Sequence, residues 1–163
     1  MATLCHEVWI NASAERVYEA ISTAEGIGTW WDEQTATQTD QGLVLEHNPG
    51  PEHGIVRMKV LDLSKPRRIE WECISTHPKS SPASAWTGTH IEFEIARRSV
   101  PPWASRKTEM TILTFRHSGW DENSEYFGFC NFAWGQALQK LRHVCESAVG
   151  ATTRRREEEA KAS

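Results

Sequence analysis

The stretch SEYFGFCNFAWGQALQKLRHVCES, residues 124–147, constrains the fold more than any other part of the chain. At about 100° per residue, Asn123, Tyr126, Phe127, Cys130, Trp134, Ala137, Leu138, Leu141, Val144 and Cys145 fall in one stripe. Gln136, Gln139, Lys140, Arg142 and His143 lie mostly outside it. The spacing predicts one helix from Asp121 or Glu122 to about Ser147, with Gly150 as its stop. At about 1.5 Å per residue such a helix spans roughly 38 Å, the width of a domain this size. A stripe so rich in rings calls for a broad apolar surface opposite, and a curved sheet supplies one.

The rest of the chain offers that sheet. Residues 3–11 alternate, with Leu4, His6, Val8 and Ile10 against Cys5, Glu7 and Trp9. Ser13 then reads as the N-cap of a short helix carrying Val17, Ala20 and Ile21, and residues 23–31 read as a second. Strands follow at 42–47, 55–63, 69–74, 87–96 and 109–117, separated by a Pro- and Gly-rich turn at 48–54, a tight link at 64–67 and polar loops at 76–84 and 99–106. In the strand at 109–117, Met110 and Ile112 compete with Leu113 and Phe115 for the inner face. Adjacent strands with short links predict an antiparallel meander with one buried face.

A chain of 163 residues suits one domain, placed at 1–150, with a flexible charged tail at 151–163 that holds no large apolar residue. A net charge of −4 gives no basis for a nucleic-acid surface. No apolar run approaches the roughly 20 residues of a membrane span, and no basic start precedes an apolar core at the N-terminus, so the expectation is a cytoplasmic protein without membrane insertion. Cys5, Cys73, Cys130 and Cys145 are scattered and read as reduced thiols. Eight tryptophans imply a core or a pocket walled by large flat rings.

The stretch INASAERVYEAISTAEGIGTWW at 10–31, WTGTHIEFEI at 86–95, HSGW at 117–120 and CNFAWGQALQKL at 130–141 resemble the START-like (SRPBCC) superfamily. Within it they resemble the group of homologues of the activator of the ninety-kilodalton heat-shock-protein ATPase. The resemblance covers about residues 4–147. It implies an α+β helix-grip fold, as in START-like and pollen-allergen-like proteins. A curved antiparallel sheet of about seven strands wraps on a long C-terminal helix, two short helices follow strand one, and an elongated cavity lies between. Relatives include lipid carriers, hormone binders, polyketide cyclases and chaperone activators, so the fold alone leaves the function open. The chaperone role in the family resembles a two-domain design, for which 163 residues leave no room.

The expected ligand pocket faces the gap between sheet and helix and comprises Val56, Met58, Trp71, Cys73, Ile91, Phe93, Phe115, Phe127, Cys130 and Trp134, with Trp30 and Trp31 at its mouth. The competing reading is a solid core. His117 and Asn131 are the candidate polar handles, against structural roles as a corner hydrogen bonder and a capping amide. His90, Glu92 and Glu94 share one strand face at period two, but it is the expected solvated face, so no metal is assigned. Cys73 and Cys130 read as inert packing. The chain holds no nucleophile-elbow, phosphate-loop, dinucleotide or zinc-protease motif, so no catalytic residue and no cofactor are assigned. The first expectation is therefore a binder of a small apolar or amphipathic molecule, as a monomer or homodimer. The alternatives are a chaperone-activator-like protein-binding module and a cyclase- or hydrolase-like enzyme using the same pocket.

Overall fold

In the computed structural model the described residues are 1–64 and 67–162, and the side chains of 148–158 lie outside the description. The chain runs β1 (Ala2–Ile10), α1 (Ala14–Ser22), α2 (Ala24–Gly28), β2 (Thr35–Thr39), β3 (Gly42–His47), β4 (Val56–Ser64), β5 (Arg68–Cys73), a 3₁₀ helix (Pro82–Ala85), β6 (His90–Ser99), β7 (Glu109–Trp120) and α3 (Phe127–Ala162). The seven strands form one antiparallel sheet in the order β1-β7-β6-β5-β4-β3-β2. Only the step from β1 to β2 is not a link between neighbouring strands, and α1 and α2 fill it. The fold is thus the helix grip that the sequence pattern implies.

Local chemistry sets the opening. The Ser13 hydroxyl accepts from the Arg16 amide at 3.1 Å and caps α1. Thr23 ends α1 and caps α2, accepting from the Gly26 amide at 2.9 Å. Gly26 is required here by close approach, since a Cβ on it would sit 2.1 Å from the Glu19 carbonyl oxygen. The two helices bury Val17, Ile21 and Ile27 in the core, and Trp30 in the turn after α2 joins them. The Trp30 indole N–H donates to the Ala20 carbonyl at 2.7 Å, which satisfies the one polar atom of a buried ring.

Helix α3 lies across the concave face. Cys130, Trp134, Leu138, Leu141 and Cys145 are buried, as the stripe predicts, and Tyr126, Phe127, Ala137 and Val144 pack at its margins. The helix begins at Phe127 and not near Asp121. Asp121 and Ser124 hold the preceding residues in turns: the Asp121 carboxylate accepts from the Asn123 amide at 2.9 Å, and the Ser124 hydroxyl from the Tyr126 amide at 3.2 Å. At its other end α3 passes through Gly150, where the sequence predicts a stop. One glycine costs a helix only about 1 kcal/mol relative to alanine, and the arginines, glutamates and alanines that follow favour helix. The charged tail read at 151–163 falls mostly on residues whose side chains are outside the description.

Two strands depart from the sequence reading. β2 has no counterpart in the strands expected from the sequence, because TATQT holds no large apolar residue and all five positions are exposed. β7 runs on to Trp120. Its Leu113 and Phe115 belong to the core, while Met110 and Ile112 are buried apart from it, Ile112 opposite Trp9. Among the described residues no helix is long and apolar enough to cross a membrane.

Candidate functional site

Most of the residues expected to line a pocket are in contact with one another, and two of them, Trp31 and Val56, also border an opening described below. Trp31 stacks on Trp71 with ring centroids 6.2 Å apart and lies 5.0 Å from Trp134 and 6.1 Å from Trp86. Phe93 closes on Trp71 at 5.0 Å and on Phe115 at 5.4 Å, and Phe115 on Trp134 at 4.6 Å. Trp30 joins through Trp31 and Phe93, and Phe127 through Trp120. Val56, Met58, Cys73, Ile91 and Cys130 are buried around these rings. Contacts at these separations are those of packed aromatic pairs. The sheet–helix space is therefore furnished as a ring-filled core over these positions. Two of its rings, Trp86 and Trp120, were not singled out from the sequence, although both stand in the quoted motifs.

A line of hydrogen bonds runs through the core. The Trp134 indole N–H donates to His117 Nδ1 at 3.1 Å. That leaves Nε2 to carry the imidazole proton and donate to the Thr89 hydroxyl at 2.7 Å, which in turn donates to the Trp86 carbonyl at 2.5 Å. Every polar atom of His117 is used, and its ring is fully buried. Burial pushes its pKa down to about 3, so the neutral form is held. His117 thus spends its capacity inside the protein. Asn131 stands apart from the core: its amide oxygen accepts from His6 Nε2 at 2.9 Å on the open side of α3.

Among the described residues, openings lie to either side of this core. The first is a cleft of about 150 Å3 between the segment after α2, the turn after β3 and the 3₁₀ helix. Trp31, Trp86, Val56, Pro49, Pro82 and Ala83 give it apolar walls, and Asp32, His47 and His53 supply its polar groups. The His47 ring packs 4.5 Å from Trp31, and its side chain is 3% exposed. Its Nε2 lies 3.7 Å from the Asp32 carboxylate, and its Nδ1 is buried with no partner among the described residues. Burial lowers the His47 pKa to about 4, against the pull of Asp32. A net of hydrogen bonds fixes the wall: Ser81 to His53 Nδ1 at 2.7 Å, His77 Nδ1 to the His53 carbonyl at 2.6 Å, and Ser75 to His77 Nε2 at 2.8 Å. The sequence reading missed His47 and His53, which look like ordinary residues at a strand end and in a turn.

The second opening is a groove between α3 and the edge strand β1, in two parts of about 630 and 560 Å3 that share His6, Gly135 and Gln139. Phe132 stands at one end of it, 68% exposed, and Trp103 at the other, 81% exposed and packed on Trp9 at 5.7 Å. Phe129 is exposed on the same helix. Gly135 faces His6 across the groove, where a Cβ would lie 3.5 Å from the imidazole, at ordinary contact distance. Beside the groove, the Trp9 indole N–H, and then Arg98, hold the Glu7 carboxyl below its ordinary range.

The remaining candidates take structural places. Glu92 and Glu94 pair with Arg116 at 3.5 and 3.1 Å, Glu92 also with Arg68 at 2.9 Å, and His90 with Glu70 at 3.1 Å. Among the described residues no cluster of His, Cys, Asp or Glu has the geometry to hold a metal. Burial raises the thiol pKa of Cys73 and Cys130. All four cysteines are free.

Comparison with known proteins agrees with this architecture. The chain is similar to the Aha1 dimer from Colwellia psychrerythraea at 25% identity and a TM-score of 0.69, over 90% of this chain and 97% of that one. A protein of Bacillus halodurans shares 22% identity, with a TM-score of 0.63 over 90% and 98% of the two chains. One of Mesorhizobium loti shares 17%, with a TM-score of 0.66 over 87% and 95%. The last two speak to the fold alone. No curated protein matches. The family model "Activator of Hsp90 ATPase homolog 1-like protein" matches residues 11–146, which hold α1, α2, strands β2 to β7 and the core-bearing part of α3, and the chain belongs to that family.

Proposed function

We propose that this chain is a protein-binding module of the chaperone-activator type, which meets its partner along the groove between β1 and α3. The observation that carries this reading is the inversion of the expected aromatic distribution. Trp71, Phe93, Phe115 and Trp134, expected to line a cavity, are packed on each other, while Phe132 and Trp103 stand in solvent at the two ends of a surface groove. Large apolar side chains grouped on a surface mark contact sites, and aromatic anchors carry much of the energy of such contacts. The neighbouring edge strand adds unpaired backbone groups along one side. The family's description as homologues of an Hsp90 ATPase activator supports a ninety-kilodalton heat-shock chaperone as the partner class. The dimer of the Colwellia psychrerythraea relative is a reason to record the oligomeric state in the same experiments.

The test is the ATPase rate of such a chaperone with and without the purified protein. Stimulation by the wild type is expected. Phe132→Asp is expected to lose it while keeping the wild-type melting temperature, because that ring is 68% exposed. A chaperone that is neither bound nor stimulated overturns the reading.

A further inference from the structure

The groove between β1 and α3 wraps the edge of the sheet. Four consecutive residues of β1, His6 to Trp9, line it. Successive residues of a strand point to opposite faces, so a groove that touches all four runs along the strand's edge and not over one face. The other walls agree. Leu138 of α3 stands on the concave side, where Val8 joins the core. Trp103 stands on the convex side, where it packs on Trp9 and Trp9 lies opposite Ile112. The edge between these walls is open. Among the described residues β1 pairs with β7 alone, so alternate N–H and C=O groups along it point into the groove. Edge strands are commonly defended by charge, Pro or a bulge. β1 holds no Lys, Arg or Pro, and its one irregularity lies at Ala2/Thr3, beyond the groove. The charges beside the groove are matched within the chain: Glu7 accepts from the Trp9 indole at 3.0 Å and pairs with Arg98, and Arg142 donates to Glu146 at 3.2 Å. Along α3 the groove runs from Gly128 to Arg142. At about 1.5 Å per helical residue that is about 21 Å, the reach of about six extended residues.

We propose that the partner enters this groove as an extended, uncharged and mainly apolar segment that pairs with β1 as an eighth strand. An extended backbone carries free donors and acceptors at the spacing a strand edge needs, whereas a helix keeps its own bonded. Successive side chains of the segment meet Trp9 and Trp103 on one face and Leu138 on the other, so apolar residues suit both. A charged segment finds no unmatched countercharge among the described groove residues. The inference rests on the activator reading for the partner's identity and adds the conformation in which that partner binds.

The test is quenched amide hydrogen exchange of the labelled full chain, free and saturated with a purified ninety-kilodalton heat-shock chaperone. In the free protein, alternate amides from Cys5 to Trp9 are expected to be slow, held by β7, and those between them fast. On binding, the fast set is expected to slow at least tenfold, so that the alternation disappears. Glu7→Pro and Val8→Pro give a second readout, since proline is tolerated on an edge strand where its missing N–H faces outward. One of these consecutive positions loses a bond to β7 and melts lower. The other is expected to keep the melting temperature of its alanine counterpart and to bind the chaperone at least tenfold more weakly than that counterpart. Chaperone binding without the slowing, or with equal affinity in the folded proline and alanine variants, overturns the inference and leaves the activator reading standing. No binding at all overturns both. Slowing that appears without chaperone and grows with protein concentration makes the occupant a second copy of this chain and overturns the inference as well.

Discussion

Acidification should unfold this protein through His117, and the size of the effect follows from its hydrogen bonds. In the folded chain Nδ1 accepts from Trp134 and Nε2 donates to Thr89, so a second proton on the ring would turn an accepted bond into a clash of two N–H groups. Burial accordingly lowers the pKa to about 3 from an ordinary value of 6.5. The unfolded chain takes up that proton as pH falls below 6.5 and the folded chain does not, so stability is full above pH 6.5 and declines from there down to about pH 3. At pH 4.5, two pH units below the unfolded value, the loss is about 3 kcal/mol at about 1.4 kcal/mol per unit. His47, lowered to about 4, adds a loss of similar size over its own window from 6.5 to about 4. Together these approach the whole stability of a small domain, about 5–15 kcal/mol. The assay is urea unfolding followed by tryptophan fluorescence at pH 7.5 and pH 4.5, for the wild type and His117→Gln. The amide keeps an acceptor and a donor but does not titrate, so the variant should lose about 3 kcal/mol less between the two pH values. Equal losses in the two proteins, or an imidazole at residue 117 that titrates between pH 5 and 8 in a carbon-detected NMR series, would refute the reasoning.

Three further outcomes are expected. Trp134→Phe removes the donor to His117 and part of the core, and should cost about 2–4 kcal/mol in urea unfolding. Gly26→Ala places a methyl carbon 2.1 Å from the Glu19 carbonyl, so it should lower stability by about 1–3 kcal/mol or more, against the small gain that alanine brings to an open helix site. Modification by a thiol reagent at neutral pH should mark Cys5 first, since it alone of the four cysteines is exposed and burial holds the other three thiols protonated, Cys145 up to about 11.

The elements with strong periodicity were legible before the structure. β1, α1, β3 to β7 and the buried stripe of α3 stand close to where alternation and helical spacing put them, because each has one face turned to the same core. β2 gave no such signal, since a wholly exposed edge strand needs no alternation. The start of α3 misled for a different reason: apolar spacing begins at Asn123, but the Asp121 and Ser124 side chains capture the local amides first. The candidate site was less legible still. Spacing assigns Trp71, Phe93, Phe115 and Trp134 to the inner side correctly, yet it carries no information on whether facing rings touch or leave a gap. The cleft and the groove are assembled from residues far apart in the chain, such as His47 with Ala83 and His6 with Asn131, and no local pattern announces such pairs.

The groove between β1 and α3 is the proposed working surface. Amide chemical-shift mapping of the isotope-labelled protein, titrated with a ninety-kilodalton heat-shock chaperone, tests this directly. Perturbations and line broadening concentrated at residues 6–9 and 128–142 are the predicted result. Perturbations confined to the outer face of β5 and β6, or no perturbation at saturating chaperone, would contradict it.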